Sequence, residues 1–466
     1  MASFDLTHHS RKVTVYIPAY NYGAYLQQAV ESVIKQNYEN WELIIIDDGS
    51  TDNTQAVMNQ FSGHPKIRSY YQKNNGLTRS NNKAIEMSYG EYIMRLDADD
   101  YLDENALLVL ANVMDSKADV SLVYSDYYVV SEDGTLIRLE RRSKVYEEDE
   151  LLDLPSHAAC AMIRKSSLVE LGGYNENILC QDGYDLWIRV IQQYQVYNVN
   201  LPLFYYRRHA GSMSSRMDRL LRTRQQIKRE FVAKMGKDSP KVLAIIPVRD
   251  DSTAAEPVLA LKTLGGRAVL DYTLEAAVES GMLDRIVVTS ESQQVLKYAQ
   301  SFEGVEIIPR SKELCMPNSP IEPTAVYVLS ELEKREGYVP DAVLLLFVVS
   351  PLRKARHIRK AIDTLQVFKC DSVVSVCENN SYLYRRGKNG IEPIIKERKL
   401  RIERDILYAD NASIMLSWVN AITPKSFVGK RVSHILMTRG ESFQLDTDFD
   451  FWMVEHIMKG WITGQE

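Results

Sequence analysis

The 466-residue chain is too long for one ordinary hydrophobic core, so two domains of about 200 residues each are expected. Hydrophobic residues make up 45% of the chain and charged residues 25%, a balance that is typical of globular rather than disordered proteins. The formal net charge of −6 argues against a general nucleic-acid-binding protein, which would need a dominant basic face.

The N-terminal sequence MASFDLTHHSRK has no apolar run after its basic pair, and no stretch of the chain approaches the roughly 20 apolar residues of a membrane-spanning helix. The cysteines are scattered and form no C-x-x-C pair; they are Cys160, Cys180, Cys315, Cys370 and Cys377. We therefore expect reduced, mostly buried thiols in a cytoplasmic protein.

Two regions of the sequence start in the same way, with an apolar run that ends in proline and polar residues. These runs are VTVYIPAYN at Val13–Asn21 and VLAIIPVRD at Val242–Asp250. Each is followed by a helical pattern and a second apolar run, LIIID at Leu43–Asp47 and RIVVTS at Arg285–Ser290. Such runs are typical of buried parallel strands joined by helical crossovers. The predicted fold class is α/β, with two tandem domains built on mainly parallel sheets.

A basic amphipathic segment between the two regions predicts a helix. The segment covers Ser214–Lys241, and Gly236 marks the end of the helical pattern. We therefore predict domains at 1–215 and 241–466, joined by a linker helix within 216–240. The basic face of this helix either lies in solvent or contacts anionic lipid head groups or an acidic acceptor carrier.

Acidic residues follow two predicted strands of the first region, at the sheet edge where α/β proteins bind ligands. Asp47 and Asp48 end the run LIIIDD, and Asp97, Asp99 and Asp100 end GEYIMRLDADD. Two carboxylates spaced by one residue offer hard oxygen ligands to Mg²⁺ or Mn²⁺, which can bridge the phosphates of a nucleotide diphosphate. A D-x-D pattern by itself also occurs in solvated turns, so the surrounding segments have to decide between these interpretations.

Five segments of the first region, taken in order, resemble glycosyltransferase family 2, whose members have the GT-A fold. The resemblance runs from about Val13 to Ser215 and rests on IPAYNYGAYLQQAVESVIKQNYENWELIIIDDGSTDNT, NNGLTRSNNKAI, GEYIMRLDADDYL, CQDGYDLWIRV and LPLFYYRRHAGSMS. It implies transfer of a sugar, with inversion and with Mg²⁺ or Mn²⁺ as cofactor, to a glycan, a lipid-linked molecule or a protein. The donor it implies by default is a UDP-sugar, with a cytidine nucleotide as the alternative.

The resemblance also implies roles for individual residues. Binding of the base, ribose and phosphates is implied for Pro18, Ala19, Tyr20, Asp47, Asp48, Asn75, Gly76, Arg79, Asn82 and Asp97. Metal binding is implied for Asp97 and Asp99, with His209 nearby, and a structural role for His209 is the alternative.

Asp182, in CQDGYD, matches the catalytic base of the family. Gln181 stands where family members often carry glutamate, so Asp185 is a second candidate for the base. In an inverting transfer, the base takes the proton of the acceptor hydroxyl as this hydroxyl attacks the anomeric carbon. A divalent metal would neutralise the charge that builds up on the departing phosphate.

From about Val242 to Met458 the chain resembles CMP-sugar synthetases, the cytidylyltransferases that activate sialic-acid-like or Kdo-like sugars. The matching segments are LAIIPVRD, LGGRAVLDYTLEAA, RIVVTSES, SPLRKARHI, DSVVSVCE, LYADNASIM and FQLDTDFDF. The resemblance implies a Rossmann-type fold, a homodimer through this domain, and binding roles for Arg249, Ser252, Arg353, Asn411, Asp446 and Asp448. For Arg353, a cation at a helix start and a ligand of a sugar carboxylate are both open.

The second region departs from this family at positions that bind CTP. The loop Arg249–Gly266 carries Asp250 and Asp251 where the family has glycine, and Thr253 replaces the first of its two lysines. Gln444 replaces the first aspartate of the Asp-x-Asp pair that holds Mg²⁺. Because added carboxylates repel a triphosphate, we expect an inactive or repurposed domain, with an active cytidylyltransferase as the alternative.

Three functions follow from these patterns. The first is a glycosyltransferase of bacterial-type surface polysaccharide synthesis, in the cytoplasm or at the inner face of the membrane, with a degenerate or repurposed C-terminal domain. The second is a bifunctional enzyme that also makes a CMP-activated acidic sugar. The third is a non-catalytic scaffold of a glycan assembly complex.

Overall fold

The computed structural model describes residues 12–141, 160–178, 181–209, 217–234, 239–253, 256–316, 319–368, 370–379, 381–387, 390–394 and 407–461. The described residues divide into two compact units, one up to Ile227 and one from Lys228 onward. This boundary falls within the helix Met217–Lys234, which lies inside the predicted linker 216–240. The predicted domain limits at 215 and 241 stay predictions.

The first unit is a mixed sheet with flanking helices. Its strands are β1 Val13–Ala19, β2 Trp41–Asp47, β3 Ile67–Tyr71, β4 Tyr92–Arg95, β5 Tyr101–Leu102, β6 Val120–Val130, β7 Leu136–Glu140, β8 Met162–Arg164 and β9 Gln195–Arg207. Its helices are α1 Gly23–Ile34, α2 Thr54–Gln60, α3 Leu77–Met87, α4 Ala106–Ser116, α5 Lys165–Glu170 and α6 Asp182–Gln193, and α7 Met217–Lys234 contains the boundary.

The strands of this sheet lie in the order β3-β2-β1-β4-β8-β6-β9-β5, and β7 pairs with β6. The first four are parallel, and β8 runs antiparallel to both of its neighbours. Ala19 lies opposite Asp47, which in turn lies opposite Tyr71, so the carboxyl ends of these strands meet at one edge. The loops after β1 and β2 therefore meet at this edge.

Burial explains why these segments form a sheet with helices packed against it. All seven residues of β1 and all seven of β2 are buried, as expected for parallel strands covered on both faces. In α1 the residues spaced by three and four positions, Leu26, Ala29, Val30 and Val33, are buried in the core. Burying a leucine-sized side chain stabilises such a fold by about 2 kcal/mol.

The second unit has a sheet of its own and two small hairpins. Its strands are β10 Val242–Pro247, β11 Thr263–Leu264, β12 Arg267–Ala268, β13 Arg285–Ser290, β14 Val305–Pro309, β15 Ala342–Leu345, β16 Ser372–Asn379, β17 Tyr384–Gly387, β18 Gly390–Pro393, β19 Leu407–Trp418 and β20 Val432–Leu436. Its helices are α8 Val269–Ser280, α9 Gln293–Ala299, α10 Glu322–Glu336, α11 Ala355–Val367 and α12 Asp448–Trp461.

The main sheet of the second unit repeats the strand arrangement of the first. Its order is β14-β13-β10-β15-β19-β16-β20, and β19 runs antiparallel to both neighbours, as β8 does in the first sheet. The other pairs in this order are parallel. The predicted α/β class with strand–helix units in both regions is thus confirmed, and the shared antiparallel strand is a feature that the sequence did not predict.

Four of the five cysteines lie in the described part of the chain. Cys160, Cys315 and Cys370 are buried, Cys377 is half-buried, and all four are free thiols, whereas Cys180 lies outside the described residues. In the described part of the chain, no helix combines the length and apolar character needed to span a bilayer.

Candidate active site

Asp47 and Asp48, at the end of β2, hold the loops at the edge of the first sheet. Asp47 is fully buried, and its Oδ1 accepts a hydrogen bond from the backbone N–H of Ser50 at 2.9 Å. Asp48 accepts from the backbone N–H groups of Asn75 and Gly76, at 2.8 and 2.9 Å. Their predicted role in binding a base or ribose stays a prediction, and of the two only Asp48 lines the adjacent cavity.

That cavity has a volume of about 620 Å³, which is sufficient for a nucleotide. It brings together five of the predicted nucleotide-binding residues, Pro18, Ala19, Tyr20, Asp48 and Gly76. Its wall also contains Tyr22, Tyr25 and His209, whose rings form an aromatic cluster with the centroid of His209 5.2 Å from that of Tyr25 and 6.0 Å from that of Tyr22.

The loop after β1 is fastened to the loop after β2. Asn21 has a φ of +59°, a left-handed conformation that asparagine tolerates better than most residues. Its backbone N–H donates to Ser50 Oγ at 2.9 Å, and its side-chain oxygen accepts from the backbone N–H of Thr51 at 2.7 Å. These two hydrogen bonds therefore link the loops that line the cavity.

The D-x-D segment after β4 concentrates negative charge beside this cavity. Asp99 Oδ2 lies 3.1 Å from Nε2 of His209. Burial, together with the charge of Asp97, raises the pKa of Asp99. Burial and the charge of Asp99 likewise raise the pKa of Asp100 well above its usual value, although Asp100 accepts the backbone N–H of Arg207 at 2.8 Å. A bound cation would relieve this repulsion.

The residues present fit a divalent metal that is completed by a substrate. Within the described ranges, no group of three or more His, Cys, Asp or Glu side chains forms a complete protein cage for a metal. Mg²⁺ usually binds through one or two carboxylates plus substrate phosphates, so no such cage is required. Asp97 and Asp99 can supply those carboxylates, and His209 lies within contact of Asp99.

Asp182 is the first residue of α6, and it is nearly buried, with 7% of its surface exposed. Its Oδ2 accepts hydrogen bonds from Nη1 of Arg95 at 2.7 Å and from Nδ2 of Asn81 at 2.9 Å. The Nε of Arg95 donates to Oδ1 of Asp97 at 2.6 Å. Burial alone would lower the pKa of Arg95, but the charges of Asp97 and Asp182 raise it well above its usual value. The predicted base and a predicted metal ligand thus share one guanidinium group.

The second candidate for the base has a different environment. Asp185 Oδ2 accepts from both Nε and Nη2 of Arg189, at 2.9 and 2.7 Å, one turn further along the same helix. This ion pair lies within α6 and involves neither Arg95 nor Asp97. Of the two carboxylates, Asp182 is therefore the one connected to the D-x-D segment.

Arg79 and Asn82, on α3, contact the loop after α5. The Nε of Arg79 lies 3.1 Å from Oε2 of Glu176, and both side chains are about half exposed. Asn82 Nδ2 donates to the carbonyl oxygen of Tyr174 at 3.0 Å and to Oε1 of Glu176 at 3.1 Å. Phosphate binding by these two residues stays a prediction.

Of the residues predicted to bind ligand in the second unit, Arg249, Ser252, Asp446 and Asp448 are exposed. Arg353 is instead buried, with 1% exposure, and donates to the carbonyl oxygen of Ser413 at 2.6 Å and to Oγ1 of Thr273 at 2.7 Å. Burial lowers the pKa of Arg353 to about 9. Its donors are directed at uncharged oxygens of the fold.

Asn411 is also buried and belongs to a polar cluster. Its Nδ2 donates to Ser442 Oγ at 2.9 Å, and its Oδ1 accepts from Ser375 Oγ at 2.6 Å. These contacts link β19 to β16 and to the segment after β20. A binding role for Asn411 stays a prediction.

The repeated sheet allows the two units to be compared position by position. Residues 91–100 and 341–350 have the same succession of strand and turn and the same alternation of buried and half-buried residues. In this alignment Phe347 and Val349 occupy the positions of Asp97 and Asp99. The second sheet therefore carries apolar side chains where the first carries its metal-ligand candidates.

Arg95 and Asn81 are the site residues that sequence reasoning missed. The signal for Arg95 was a single charged residue inside the otherwise apolar segment YIMRL. A buried strand usually carries apolar side chains at such positions, so a charged residue there indicates a buried partner. For Asn81 there was no such signal, because a polar residue on a surface helix is ordinary. Its contact with Asp182 joins positions 101 residues apart.

Comparisons with known proteins agree with this two-part organisation. Residues 14–172 match the glycosyl transferase family 2 model, and residues 243–366 match the cytidylyltransferase model. The chondroitin synthase of Escherichia coli is 31% identical over 181 residues, which cover 38% of this chain and 26% of that protein. The hyaluronan synthase of Pasteurella multocida is 34% identical over 182 residues, which cover 38% of this chain and 18% of that protein.

The chain thus spans about a quarter or less of the length of these two relatives. Among solved structures, S. aureus TarS 1-349 in complex with UDP-GlcNAc has 19% identity and a TM-score of 0.40, covering 47% of this chain and 66% of that one. The resemblances predicted from the motifs are confirmed: the first region of the chain matches the glycosyl transferase family 2 model, and the second region matches the cytidylyltransferase model.

Proposed function

We propose that the first unit is an inverting, metal-dependent glycosyltransferase that takes a sugar from a nucleotide-sugar donor and adds it to a surface polysaccharide. The observation that carries this proposal is the contact of both Asp182 and Asp97 with Arg95, next to a cavity of nucleotide size. The family match supports the reaction class. The curated relatives, named as chondroitin and hyaluronan synthases, support a polysaccharide as the product.

In this proposal the donor nucleotide lies in the cavity between the loops after β1 and β2. Tyr20, Tyr22 and Tyr25 line this cavity and offer aromatic rings to a base or sugar ring. The backbone N–H of Gly76, which also lines it, donates to Asp48. UDP is the default nucleotide of the family, and a cytidine nucleotide is the alternative that the second unit makes worth testing. The acceptor is a growing glycan, with lipid-linked and protein acceptors as further classes.

Asp182 acts as the general base in this scheme. It takes the proton of the acceptor hydroxyl as the hydroxyl oxygen forms a bond to the anomeric carbon and the bond to the diphosphate breaks. Attack from the face opposite the leaving group inverts the anomeric centre in one displacement. Asp97 and Asp99 would hold Mg²⁺ or Mn²⁺, which when bound supplies positive charge for the leaving diphosphate.

We further propose that the second unit does not carry out cytidylyl transfer. Of the two cations in its first loop, Arg249 and Lys262, Lys262 forms an ion pair with Glu256. Asp251 in the same loop accepts the backbone N–H of Leu259 at 2.8 Å, so the carboxylate is built into the loop. Stabilising a triphosphate under attack requires an excess of cations, and these loop contacts leave a balance of anions.

Two sets of incubations test the two parts of the proposal. The full chain is incubated with Mn²⁺, with a panel of UDP- and CMP-sugars, and with chondroitin and hyaluronan oligosaccharides as acceptors, and released nucleotide and extended products are measured. A second set contains CTP and an acidic nine-carbon sugar, and released pyrophosphate is measured. EDTA and the variant Asp182→Asn serve as controls.

We expect nucleotide release and an extended product from at least one donor, with loss of both in EDTA, and no pyrophosphate from CTP. Pyrophosphate together with a CMP-sugar product would instead establish the bifunctional enzyme. Absence of product with every donor and acceptor would contradict the transferase proposal and favour the scaffold.

A further inference from the structure

We propose that Arg95 is a positioning residue for sugar transfer: it holds Asp182 and Asp97 by one oxygen each, so that the second oxygen of each carboxylate remains available to the reactants. This inference rests on the proposed function. It concerns a residue that is almost fully buried and that acts through the two carboxylates.

The geometry of the contact is specific to arginine. The side chain of Arg95 is 5% exposed, and it uses Nη1 for Asp182 at 2.7 Å and Nε for Asp97 at 2.6 Å. These two nitrogens belong to one planar, rigid group, so the two carboxylates are fixed relative to each other as well as to the strand. A lysine offers a single point charge and holds two carboxylates in place less well.

The contacts fall on one oxygen of each carboxylate. Among the residues that the structure describes, Asp182 is contacted by Arg95 and Asn81, and both hydrogen bonds end on Oδ2. The side-chain contact of Asp97 ends on Oδ1. Oδ1 of Asp182 is therefore the oxygen left to accept a proton, and Oδ2 of Asp97 the one left for a cation. A carboxylate anchored in this way keeps the orientation that its reaction requires.

The second sheet indicates that the fold itself does not require this arginine. Arg95 lies opposite Tyr16 in the first sheet, and Leu345 lies opposite Ile245 at the corresponding place in the second. Leu345 is fully buried, and the residues two and four positions later are Phe347 and Val349. The same strand position thus accepts leucine where no carboxylates follow, and carries arginine where they do.

The free-energy cost of burying the guanidinium also favours a positioning role for Arg95 over a purely stabilising one. A charge removed from water is expensive unless it is well paired, and replacing a buried pair by apolar residues is often neutral or stabilising. Arg95 has two carboxylate partners at short distance, but Asp182 is nearly buried and Asp97 is half-buried. The carboxylates therefore also lose hydration, which adds to the cost of the cluster. Stability alone gives little reason for such a cluster, whereas orientation of two reactive carboxylates does.

The test is a double-mutant cycle on the full chain, with the donor and acceptor that give product in the incubations proposed above. The variants are Arg95→Leu, Arg95→Lys, Asp182→Asn and the double variant Arg95→Leu/Asp182→Asn. The measured quantities are kcat for transfer, Kd for UDP in the presence of Mn²⁺, and the melting temperature. Arg68→Leu is the matched control, because Arg68 forms a similar ion pair with Glu42, at 2.9 Å, outside the site.

We expect Arg95→Leu to lower kcat by at least about 100-fold, as loss of a general base does, and Arg95→Lys to restore part of it. The double variant should lose much less kcat than the product of the two single losses, because both changes remove the function of Asp182. Kd for UDP should rise by about 10-fold or less. Arg68→Leu should leave kcat unchanged.

Multiplicative losses in the double variant would overturn the inference, since Arg95 would then act independently of Asp182. A crystal structure of Arg95→Leu gives a second readout: rotated Asp182 and Asp97 side chains support the inference, and unchanged ones overturn it. If the wild-type protein transfers no sugar, the proposed function fails. The crystal structure of Arg95→Leu then decides alone whether Arg95 orients the two carboxylates. If Arg95→Leu does not fold, Arg95→Lys provides the same two readouts.

Discussion

Nε2 of His209 lies 3.1 Å from Oδ2 of Asp99, although 110 positions separate the two residues in the chain. The strand β9 ends at Arg207, whose backbone N–H donates to Asp100 at 2.8 Å. This hydrogen bond brings the residues after β9 to the D-x-D segment. The contact supports the functional alternative for His209 over a purely structural one, because the imidazole also lines the nucleotide-sized cavity.

His209→Ala should weaken the binding of UDP in the presence of Mn²⁺ by about 10-fold or more, the usual cost of losing a group around a metal site. Isothermal titration calorimetry with and without Mn²⁺ measures this effect. His64→Ala is the control, because His64 stacks on Trp41 with the ring centroids 5.7 Å apart and does not line the cavity. Equal affinity of His209→Ala and the wild-type protein for UDP would contradict a metal-site role.

Two carboxylates of α6, those of Asp182 and Asp185, are candidates for the general base, and their variants should behave differently. Asp182→Asn should reduce kcat for transfer by 10²- to 10⁴-fold, about the contribution of a general base, while UDP binding with Mn²⁺ persists. Asp185→Asn should retain transfer within about 10-fold, because Asp185 is paired with Arg189 on the same helix. Steady-state kinetics of both variants decides the matter. Full transfer by Asp182→Asn together with loss in Asp185→Asn would reverse the assignment.

The fold class and the acidic segments could be predicted because both depend on local patterns. The runs that became β1 and β10 are apolar, rich in β-branched residues and contain proline at or next to their last position. Each lies between two parallel neighbours. Asp97 and Asp99 follow a strand, and carboxyl ends of parallel strands share one edge of a sheet. Local sequence is sufficient for such features.

The features that escaped prediction depend on contacts between distant parts of the chain. Arg95 and Asp182 are 87 positions apart, and no local pattern specifies which carboxylate a buried arginine contacts. The shared strand order of the two units could not be predicted for another reason. Residues 91–100 and 341–350 have the same backbone and burial pattern, yet DAD in one corresponds to FVV in the other. The shared backbone and burial therefore do not determine which residues occupy these positions.

The second unit should lose stability on acidification through the pair His357 and Glu441, whose Nε2 and Oε1 lie 3.3 Å apart. Burial lowers the pKa of His357, although Glu441 opposes this effect. Burial alone would raise the pKa of Glu441, but His357 and two hydrogen bonds from Thr438 lower it overall. Both groups have folded-state pKa values below their unfolded ones, so stability falls as pH falls, below about 6.5 for His357 and below about 4.5 for Glu441.

Glu441→Gln should therefore destabilise the second unit by about 2 kcal/mol at pH 7.5, since charged hydrogen bonds are lost. The difference from the wild-type protein should shrink as pH falls below about 4.5, where the unfolded glutamate becomes protonated. Thermal unfolding between pH 4 and 8 measures both effects. Glu392→Gln is the control, because Glu392 lies in the exposed hairpin β17–β18, where its pair with Arg385 contributes little. A constant difference at all pH values would contradict the argument.

Gly90, just before β4, is the position where the first sheet leaves no room for a side chain. A Cβ at Gly90 would lie 2.5 Å from the backbone nitrogen of Thr14 and 2.8 Å from the carbonyl oxygen of Tyr92, and neither backbone atom can move without disturbing the sheet. The Gly90 N–H also donates to Thr14 Oγ1 at 2.9 Å, which a shifted backbone would lose. Gly90→Ala should therefore destabilise the first unit by about 2 kcal/mol or more.

For a unit of this size, that cost corresponds to a fall in melting temperature of about 4–8 °C. Gly63→Ala is the matched control, because a Cβ at Gly63 has no neighbour within 4 Å among the described residues. Its melting temperature should stay within about 2 °C of that of the wild-type protein. Because β4 leads directly into the D-x-D segment, Gly90→Ala should also weaken Mn²⁺-dependent UDP binding, and Gly63→Ala should not. Equal melting temperatures for the two variants would show that β1 and β4 are not packed as closely as described.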